Sequence, residues 1–317
     1  MTRVLITGIT GQDGSYLVDR LIDEGAEIWG LVRPGDADVV SVRPEVNRAR
    51  LIEADLADPA SVAAAVTAAR PQELYHLAGI SSVAQSWREP VLTGAVTGLG
   101  AVAVMHAALE ADADCRILLA SSAEIYAGIA RETYDEESAI APVNPYGASK
   151  AYAHLSARLL RSQGAHVATS VLFNHESPRR PLAFVTRKIT HGAARIAAGR
   201  DSELVLGNLD ARRDWGWAPD YVDAMLRAAR HKVAGEYVVA TGESHSVRDF
   251  ALAAFAAAGV TGGEERLRTD PEFLRGADAP ELVGNPGKAA RELGWRPTVD
   301  FEQIVAAMVR EDMREFT

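Results

Sequence analysis

The chain has 317 residues, of which 48% are hydrophobic and 24% charged, the composition of an ordinary globular protein. Its formal net charge of −10 at pH 7 argues against non-specific binding to nucleic acid, because such binding rests on clustered Lys and Arg. The single cysteine, Cys115, excludes an intramolecular disulfide and a cysteine metal cluster. No apolar run approaches the ~18 residues of a membrane helix and no signal peptide is evident, so we expect a cytoplasmic protein that binds no metal, membrane or nucleic acid.

Short apolar runs alternate with helical patterns through the first half of the chain. The runs lack polar alternation, as expected for strands buried on both faces. They are residues 4–7, 27–32, 50–53, 73–77, 117–121 and 167–173. Helical patterns lie between them at residues 16–24, 59–69, 98–111 and 146–163. Strands separated by helices predict an α/β fold, a Rossmann-type doubly wound parallel sheet.

Beyond Phe173 the pattern becomes irregular and predicts a smaller C-terminal lobe. Pro178 and Pro181 indicate a surface loop that also contains arginines. One more strand is expected at residues 235–241, and helices are expected at residues 184–198, 246–259, 285–293 and 301–315. We assign residues 1–175 and 214–243 to a main domain and residues 176–213 and 244–317 to the lobe.

The first predicted strand runs into a glycine-rich turn with the spacing G-x-x-G-x-x-G. Glycine lets the backbone approach a pyrophosphate, and the helix that follows directs its N–H groups at the anion. A plain βα turn is the alternative, but the position between a strand and a helix near the N-terminus favours dinucleotide binding by the main domain. The candidate residues of the turn are Gly8, Thr10, Gly11, Gln12, Asp13 and Gly14.

The end of the second predicted strand indicates which dinucleotide is bound. Arg33 stands where an arginine accommodates the 2′-phosphate of NADP, so we favour NADP as the cofactor. NAD is the alternative, with Arg33 a solvated charge and Asp36 or Asp38 on the ribose hydroxyl. Further candidate cofactor contacts lie at or just after the ends of the third and fourth strands: Asp55, Leu56, Leu77, Ala78, Gly79 and Ser81.

Tyr146 and Lys150 form the strongest chemical signal in the sequence. They are four residues apart at the start of a predicted helix and therefore share a face. A lysine beside a tyrosine stabilises the phenolate, so we expect a lowered pKa for Tyr146. Ser122, after the fifth strand, can hydrogen-bond the substrate oxygen that the tyrosine deprotonates. Helix packing is the alternative role for Tyr146 and Lys150. Together with the glycine turn, this pair resembles the motifs of the extended short-chain dehydrogenases.

Glu124 narrows that resemblance, because sugar-nucleotide dehydratases of the class carry a carboxylate two residues after the serine. Members that only epimerise or reduce usually carry small or neutral residues there. Loss of water across carbons 5 and 6 of a hexose needs a base for the carbon 5 proton and an acid for the leaving hydroxyl. One glutamate can serve as both in turn. The alternative is a surface carboxylate at a strand end.

Later segments resemble the GDP-mannose 4,6-dehydratase family. The matching blocks are residues 8–17, 172–180, 184–189, 206–216, 220–222, 237–243 and 245–248. The resemblance implies a homodimeric or homotetrameric NADP enzyme that converts GDP-mannose to its 4-keto-6-deoxy product. It implies an internal redox cycle, in which hydride leaves carbon 4 and returns to carbon 6, so that no net cofactor is consumed.

The resemblance also implies roles for individual residues. The arginine loop of Arg179 and Arg180 reaches a neighbouring subunit's cofactor in the family. The implied catalytic residues are Ser122, Glu124, Tyr146 and Lys150, and further cofactor contacts are His175 and Arg180. The implied substrate-binding residues are Asn174, Lys188, Asn208, Arg213 and Arg275.

Several positions depart from the family pattern. Pro181 replaces a glycine, Trp217 a histidine and Leu92 a tyrosine, and residues 275–279 replace a segment that helps hold the sugar nucleotide. The identities of the sugar and of the nucleotide base in the substrate therefore stay open. A 4-keto-sugar reductase or an epimerase acting on another nucleotide sugar is the nearest alternative. A non-catalytic NADP-binding regulator is the alternative from another class.

Overall fold

Seven parallel strands form the central sheet of the computed structural model, which describes residues 1–35, 44–270 and 281–316. From one edge to the other they are β3 (Arg50–Glu53), β2 (Glu27–Val32), β1 (Arg3–Thr7), β4 (Glu73–His76), β5 (Arg116–Ser122), β6 (Val167–Leu172) and β11 (Glu236–Val239). Every strand coincides with a predicted run to within two residues at either end. The predicted Rossmann-type fold is confirmed.

Helices cover both faces of this sheet. In chain order they are α1 (Gln12–Asp23), α2 (Pro59–Ala69), α3 (Val83–Arg88), α4 (Pro90–Ala111), α5 (Pro145–Ser162), α6 (Val185–Ala197), α7 (Ala218–Arg230), α8 (Val247–Ala257) and α9 (Phe301–Met313). Helices α1 and α7 pack with one face of the sheet, and α2, α4 and α5 with the other. The apolar runs show no polar alternation because consecutive side chains enter different cores: Val4 and Ile6 enter one, and Leu5 the other.

Helix α4 departs from expectation. Its first turn is α-helical, Gly94–Leu99 is π-helical, and Gly100–Ala111 is α-helical again. By length and composition alone α4 could cross a membrane, so the prediction that no apolar run approaches that length was wrong. Half of its most apolar stretch is buried in the fold, and α4 packs against α2 and α5. A helix packed in a protein core meets the same criteria of length and composition.

Helices α6, α8 and α9 share a separate core, to which Ile189, Phe250 and Ile304 belong. Pairs of short strands surround it: β7 (Asn174–Glu176) with β10 (Trp215–Trp217), β8 (Leu204–Leu206) with β13 (Leu267–Thr269), and β9 (Arg212–Arg213) with β12 (His245–Ser246). The helix expected at residues 285–293 is present over residues 287–293, and its segment Ala289–Leu293 is π-helical. The exact division into main domain and lobe stays a prediction.

The order of the strands positions the functional site. From β1 the chain moves to β2 and β3 on one side, and then returns to place β4, β5 and β6 on the other. In such sheets a crevice forms at the carboxyl ends of the strands, where the order reverses. The glycine turn, Ser122 and Glu124 all follow the carboxyl ends of β1 or β5, or lie at them.

Candidate active site

A cavity of about 920 Å³ opens at this reversal point. Its lining contains every predicted site residue that the structure describes, whereas Arg275 lies outside the described residues. These lining residues are Gly8, Thr10, Gly11, Gln12, Asp13, Gly14, Arg33, Asp55, Leu56, Leu77, Ala78, Gly79, Ser81, Ser122, Glu124, Tyr146, Lys150, Asn174, His175, Arg180, Lys188, Asn208 and Arg213. They are brought together around one space, while their individual roles stay predictions.

The glycine turn has the shape that a pyrophosphate requires. Gly8 has a φ of +72°, and a Cβ there would lie 2.9 Å from the backbone nitrogen of Ala78. A Cβ on Gly14 would overlap the backbone of Gly8 and Ile9. Gly11, the N-cap of α1, has no side chain to accept hydrogen bonds from the first N–H groups of the helix. This cradle therefore fits the anionic part of a dinucleotide.

The cavity wall next to the end of β2 carries a positively charged side chain. Arg33 follows β2 directly and lines the cavity together with Asp55 and Leu56, which follow β3. Asp36 and Asp38, the acidic alternatives, lie outside the described residues. A guanidinium at this strand end is suited to pair with a phosphate group.

Tyr146 and Lys150 lie near the start of α5 and both line the cavity. The Lys150 ammonium donates a hydrogen bond to the carbonyl oxygen of Ala120 at 2.7 Å and lies 6.0 Å from the centroid of the Tyr146 ring. Burial lowers the pKa of Lys150 to about 8. The Lys150 ammonium is therefore held between α5 and β5.

The expected lowering of the Tyr146 pKa was wrong for this structure. Burial raises the pKa of Tyr146 to about 12; a hydrogen bond to Ser122 opposes that rise, and the negative charge of Glu124 adds to it. Spacing at i and i+4 predicts a shared helix face but not the direction of the ammonium, whose hydrogen bond goes to Ala120. The phenol thus stays protonated until something else in the cavity stabilises its anion.

Ser122 and Glu124 stand beside Tyr146 because β5 turns directly into a 3₁₀ turn, Ala123–Tyr126. The Ser122 hydroxyl oxygen accepts a hydrogen bond from the backbone N–H of Glu124 at 3.3 Å and so caps this turn. A hydroxyl, a carboxylate and a phenol thereby share one wall of the cavity. Such a set can accept one proton from an alcohol and exchange a second with a neighbouring carbon.

Asp13 and His175 form a buried ion pair between the glycine turn and β7. His175 Nε2 lies 2.9 Å from Asp13 Oδ2, and His175 Nδ1 lies 2.8 Å from the carbonyl oxygen of Phe173. Burial opposes both charges, but the attraction and hydrogen bond between them prevail, so the pKa of His175 is raised and that of Asp13 is lowered. Gln12 adds a second link by donating to the carbonyl oxygen of His175.

The arginine loop divides between two environments. Arg180 lines the cavity, with its Nε 3.1 Å from Glu176 Oε2. The guanidinium of Arg179 lies outside the cavity lining, 2.8 Å from Asp19 and 2.9 Å from Glu45. The predicted reach across a subunit interface stays a prediction, and within one chain only Arg180 of the two lines this cavity.

Polar and basic side chains line the end of the cavity nearest the core of α6, α8 and α9: Asn174, Lys188, Asn208 and Arg213. Buried Asp214 fixes the corner between β9 and β10 by accepting hydrogen bonds from the backbone N–H groups of Thr241 and Gly242. Lysine and arginine suit a diphosphate. Within residues 1–35, 44–270 and 281–316, no group of His, Cys, Asp or Glu is placed to hold a metal ion.

The chain resembles known sequences over nearly its whole length. The sequence profile of the family described as GDP-mannose 4,6 dehydratase matches residues 5–308. The chain belongs to this family. GDP-mannose 4,6 dehydratase 1 of Arabidopsis thaliana is 38% identical over 323 residues, which cover 98% of this chain and 89% of the relative. GDP-mannose 4,6-dehydratase sdnI of Sordaria araneosa is 37% identical over 328 residues, covering 97% of this chain and 60% of that protein.

Solved structures share the fold. UDP-glucose 4-epimerase of Thermus thermophilus, in complex with NAD, is 28% identical with a TM-score of 0.83, and the match covers 98% of both chains. RMD from Pseudomonas aeruginosa, complexed with NADPH, has a TM-score of 0.83 at 24% identity, covering 99% of this chain and 100% of that chain. These neighbours support a nicotinamide cofactor in the family fold without distinguishing NADP from NAD.

Asn144 is a polar residue beside this site that was not predicted from the sequence. Asn144 precedes α5, and its side chain contacts both the start of that helix and the Glu124 carboxylate. The signal was present, because asparagine followed by proline is a typical start of a helix. Phe184, which stacks on the guanidinium of Arg180 at 4.1 Å, was also missed and carries no comparable signal.

The Asp13–His175 pair is expected to make stability depend on pH. Because the pKa of Asp13 is lowered and that of His175 raised, the pair contributes fully between roughly pH 4 and 6.5. The contribution disappears as the pH falls through the pKa of Asp13 or rises through that of His175. Asp13→Asn should therefore reduce the free energy of unfolding of the cofactor-free protein by about 1.5–3 kcal/mol near pH 6, and by less near pH 9, in urea unfolding.

Asp201→Asn serves as the control for this pH dependence. Asp201 pairs with Arg195 at 2.6 Å on the surface, and arginine does not titrate in this range. Asp201→Asn should change the free energy of unfolding only slightly, and by the same amount near pH 6 and near pH 9. An equal loss of stability in Asp13→Asn near pH 6 and near pH 9 would contradict the assignment.

Proposed function

We propose that the chain is a dehydratase that converts GDP-mannose to GDP-4-keto-6-deoxymannose by an internal redox cycle. One observation carries the proposal: the Glu124 carboxylate stands beside the Tyr146 and Ser122 hydroxyls on one cavity wall. Oxidation or reduction of a sugar needs only the hydroxyls, whereas elimination of water needs the carboxylate as well. Family membership supports the choice of GDP-mannose.

Tyr146 starts the reaction by accepting the proton of the carbon 4 hydroxyl, while Ser122 hydrogen-bonds the same oxygen. A bound nicotinamide, preferably that of NADP, supplies the hydride acceptor and donor. Lys150 would hold the nicotinamide ribose, and below its pKa of about 8 its ammonium keeps a positive charge 6.0 Å from the centroid of the Tyr146 ring. With its pKa raised to about 12, the Tyr146 phenol is protonated at neutral pH in the cofactor-free cavity.

Glu124 acts in the next stage. A carbonyl at carbon 4 acidifies the proton on carbon 5, and the Glu124 carboxylate removes that proton. The protonated side chain then gives it to the carbon 6 hydroxyl, which leaves as water with help from Ser122. The carboxylate is then ionised again. When hydride returns to carbon 6, carbon 5 takes up a proton from the Tyr146 phenol that was protonated in the first stage, directly or through solvent, so that both groups end in their starting states.

Mass analysis of the product tests the proposal. Purified protein with bound cofactor and GDP-mannose should give a product lighter by one water, without added reductant. A panel of other nucleotide sugars measures the preference for sugar and base. Steady consumption of NADPH with a 4-keto sugar would instead indicate a reductase, and cofactor binding without turnover of any nucleotide sugar would indicate a regulator.

We propose NADP as the preferred dinucleotide because Arg33 lines the cavity at the end of β2. Arg33→Ser should weaken NADP binding about 10- to 100-fold, because a hydrogen-bonded charge contact is lost, and should leave NAD binding nearly unchanged. Arg48→Ser removes an exposed arginine from a 3₁₀ turn outside the lining and is the matched control. Isothermal titration with each dinucleotide measures both effects. Equal weakening of NADP binding and NAD binding would contradict the assignment of Arg33 to the 2′-phosphate of NADP.

We propose that two copies associate through α4 and α5. These neighbouring helices expose apolar side chains, with Val91 84%, Leu99 58% and Leu159 66% exposed. A second copy related by a two-fold axis can cover this face with the same face of its own. The cost of leaving so much apolar surface in water favours such a dimer.

Leu159→Glu should disrupt this dimer, because a symmetric interface would bury the new charge twice. The apparent mass in sedimentation should fall toward that of a monomer. Val233→Glu alters an equally exposed side chain, 63% accessible, in the segment that follows α7, and should leave the mass unchanged. A wild-type monomer, or a Leu159→Glu protein of unchanged mass, would refute the interface.

We also propose that residues 1–175 and 214–243 bind the dinucleotide, and that residues 176–213 and 244–317 form a substrate-binding lobe. The separate core of α6, α8 and α9 supports this division. The cytoplasm is the proposed location, because the nucleotide sugars and nicotinamide dinucleotides that the site suits are intracellular metabolites.

A further inference from the structure

Asn144 connects the catalytic helix to the Glu124 carboxylate. Its Oδ1 accepts a hydrogen bond from the backbone N–H of Gly147 at 2.8 Å, which caps the start of α5. Its Nδ2 donates to Glu124 Oε2, also at 2.8 Å. The Asn144 residue is only 8% exposed and does not line the cavity, so it supports Glu124 from behind.

The chemistry of the two contacts determines how the amide is oriented. The backbone N–H of Gly147 can only donate and an ionised carboxylate can only accept, so the oxygen of the amide must face Gly147 and its nitrogen Glu124. Among the described residues, no other side chain hydrogen-bonds the Glu124 carboxylate. One carboxylate oxygen is thus held, and the other is left for the cavity.

Asparagine is well suited among helix-capping residues to make both contacts. Serine, threonine, aspartate and asparagine all supply an oxygen for the N-cap. Aspartate would place a second carboxylate against Glu124, and the short hydroxyl side chains carry one polar atom for two partners at different places. The amide combines an acceptor and a neutral donor on the two ends of one rigid group.

We propose that Asn144 is a positioning residue that sets the orientation of Glu124 for proton transfer. The inference rests on the proposed function, in which Glu124 moves the carbon 5 proton. Because Asn144 also starts the helix that carries Tyr146 and Lys150, it keeps the carboxylate in register with the phenol. Its loss should affect the elimination of water and leave the preceding removal of hydrogen from carbon 4 largely intact.

Asn144→Ser and Asn144→Asp test this role, since both keep an oxygen for the helix cap. Each should lower kcat for dehydration about 10- to 100-fold, the effect of losing a hydrogen bond to a charged group, with little change in KM. Exchange of solvent deuterium into carbon 5 should fall in parallel. In Asn144→Asp alone, repulsion between two carboxylates should move the acidic limb of the pH–rate profile to higher pH.

Asp58→Ser is the matched control, because Asp58 caps α2 through the backbone N–H of Ala60 at 2.9 Å, away from the cavity lining. It should change thermal stability to a similar extent and leave kcat unchanged. Equal kcat in the wild type and both Asn144 variants would overturn the inference. A fall in kcat of the same size in Asn144→Ser and in Asp58→Ser would also overturn the inference.

Crystal structures of the wild type and Asn144→Ser separate this inference from the proposed function. The Glu124 carboxylate should occupy one rotamer in the wild type and turn away in the variant. If the wild type releases no water from any nucleotide sugar but this rotation occurs, the proposed function fails and the positioning contact stands. An unchanged rotamer refutes the positioning role whatever the activity.

Discussion

Glu124→Gln is expected to abolish dehydration while the protein still folds and binds its cofactor. Removal of one acid–base group slows an enzyme by about 10²- to 10⁴-fold, and Glu124 is proposed to act as both base and acid, so we expect the upper end of that range. The amide retains the shape of the side chain. Because hydrogen removal from carbon 4 does not involve Glu124, reduced nicotinamide should accumulate in a single turnover, which absorbance spectroscopy detects.

Glu137→Gln provides the matched control, since Glu137 is exposed and does not line the cavity. It should turn over GDP-mannose at the wild-type rate. The assigned role of Glu124 is refuted if Glu124→Gln releases water at an unchanged rate, or if it fails to accumulate reduced cofactor although it binds both substrate and dinucleotide.

Tyr146→Phe is expected to stop the reaction one stage earlier. Without the phenol no group accepts the proton of the carbon 4 hydroxyl, so we expect a loss of about 10³-fold in kcat and no reduced nicotinamide. The two variants therefore differ in a visible signal although neither makes product. Binding of GDP-mannose should change little, because one hydroxyl is lost from a large polar cavity.

Tyr152→Phe is the control on the same helix, since Tyr152 is 47% exposed and does not line the cavity. It should retain wild-type turnover. Accumulation of reduced cofactor in Tyr146→Phe would show that another group removes the first proton, and would contradict the proposed mechanism.

Much of the fold was predictable because most strands of the sheet are buried on both faces; the edge strand β3, whose residues are mostly exposed, is the exception. The six residues Val167–Leu172 are all buried, so the run is apolar or small throughout and stands out from its surroundings. The short strands Asn174–Glu176 and Trp215–Trp217 were not predicted. Each has only three residues, and its partner is some forty positions away, so no local pattern marks it.

The candidate site was predictable to the extent that it follows strand ends. The residues after β1 and β5 could be assigned to one edge of the sheet, and the structure places them around one cavity. Directions of side chains were not predictable. The hydrogen bond of Lys150 to Ala120 depends on how closely α5 approaches β5. Arg179 and Arg180 point into different environments because Arg179 forms ion pairs with Asp19 of α1 and with Glu45.

The last strand of the sheet has a consequence for synthesis on the ribosome. Strand β11 (Glu236–Val239) pairs with β6 (Val167–Leu172), but more than sixty residues separate the two in sequence. A nascent chain that has not yet reached β11 therefore presents the apolar β6 as an open sheet edge. Such edges recruit strands from other chains, so truncated products ending before residue 236 should aggregate and should require chaperones to stay dispersed.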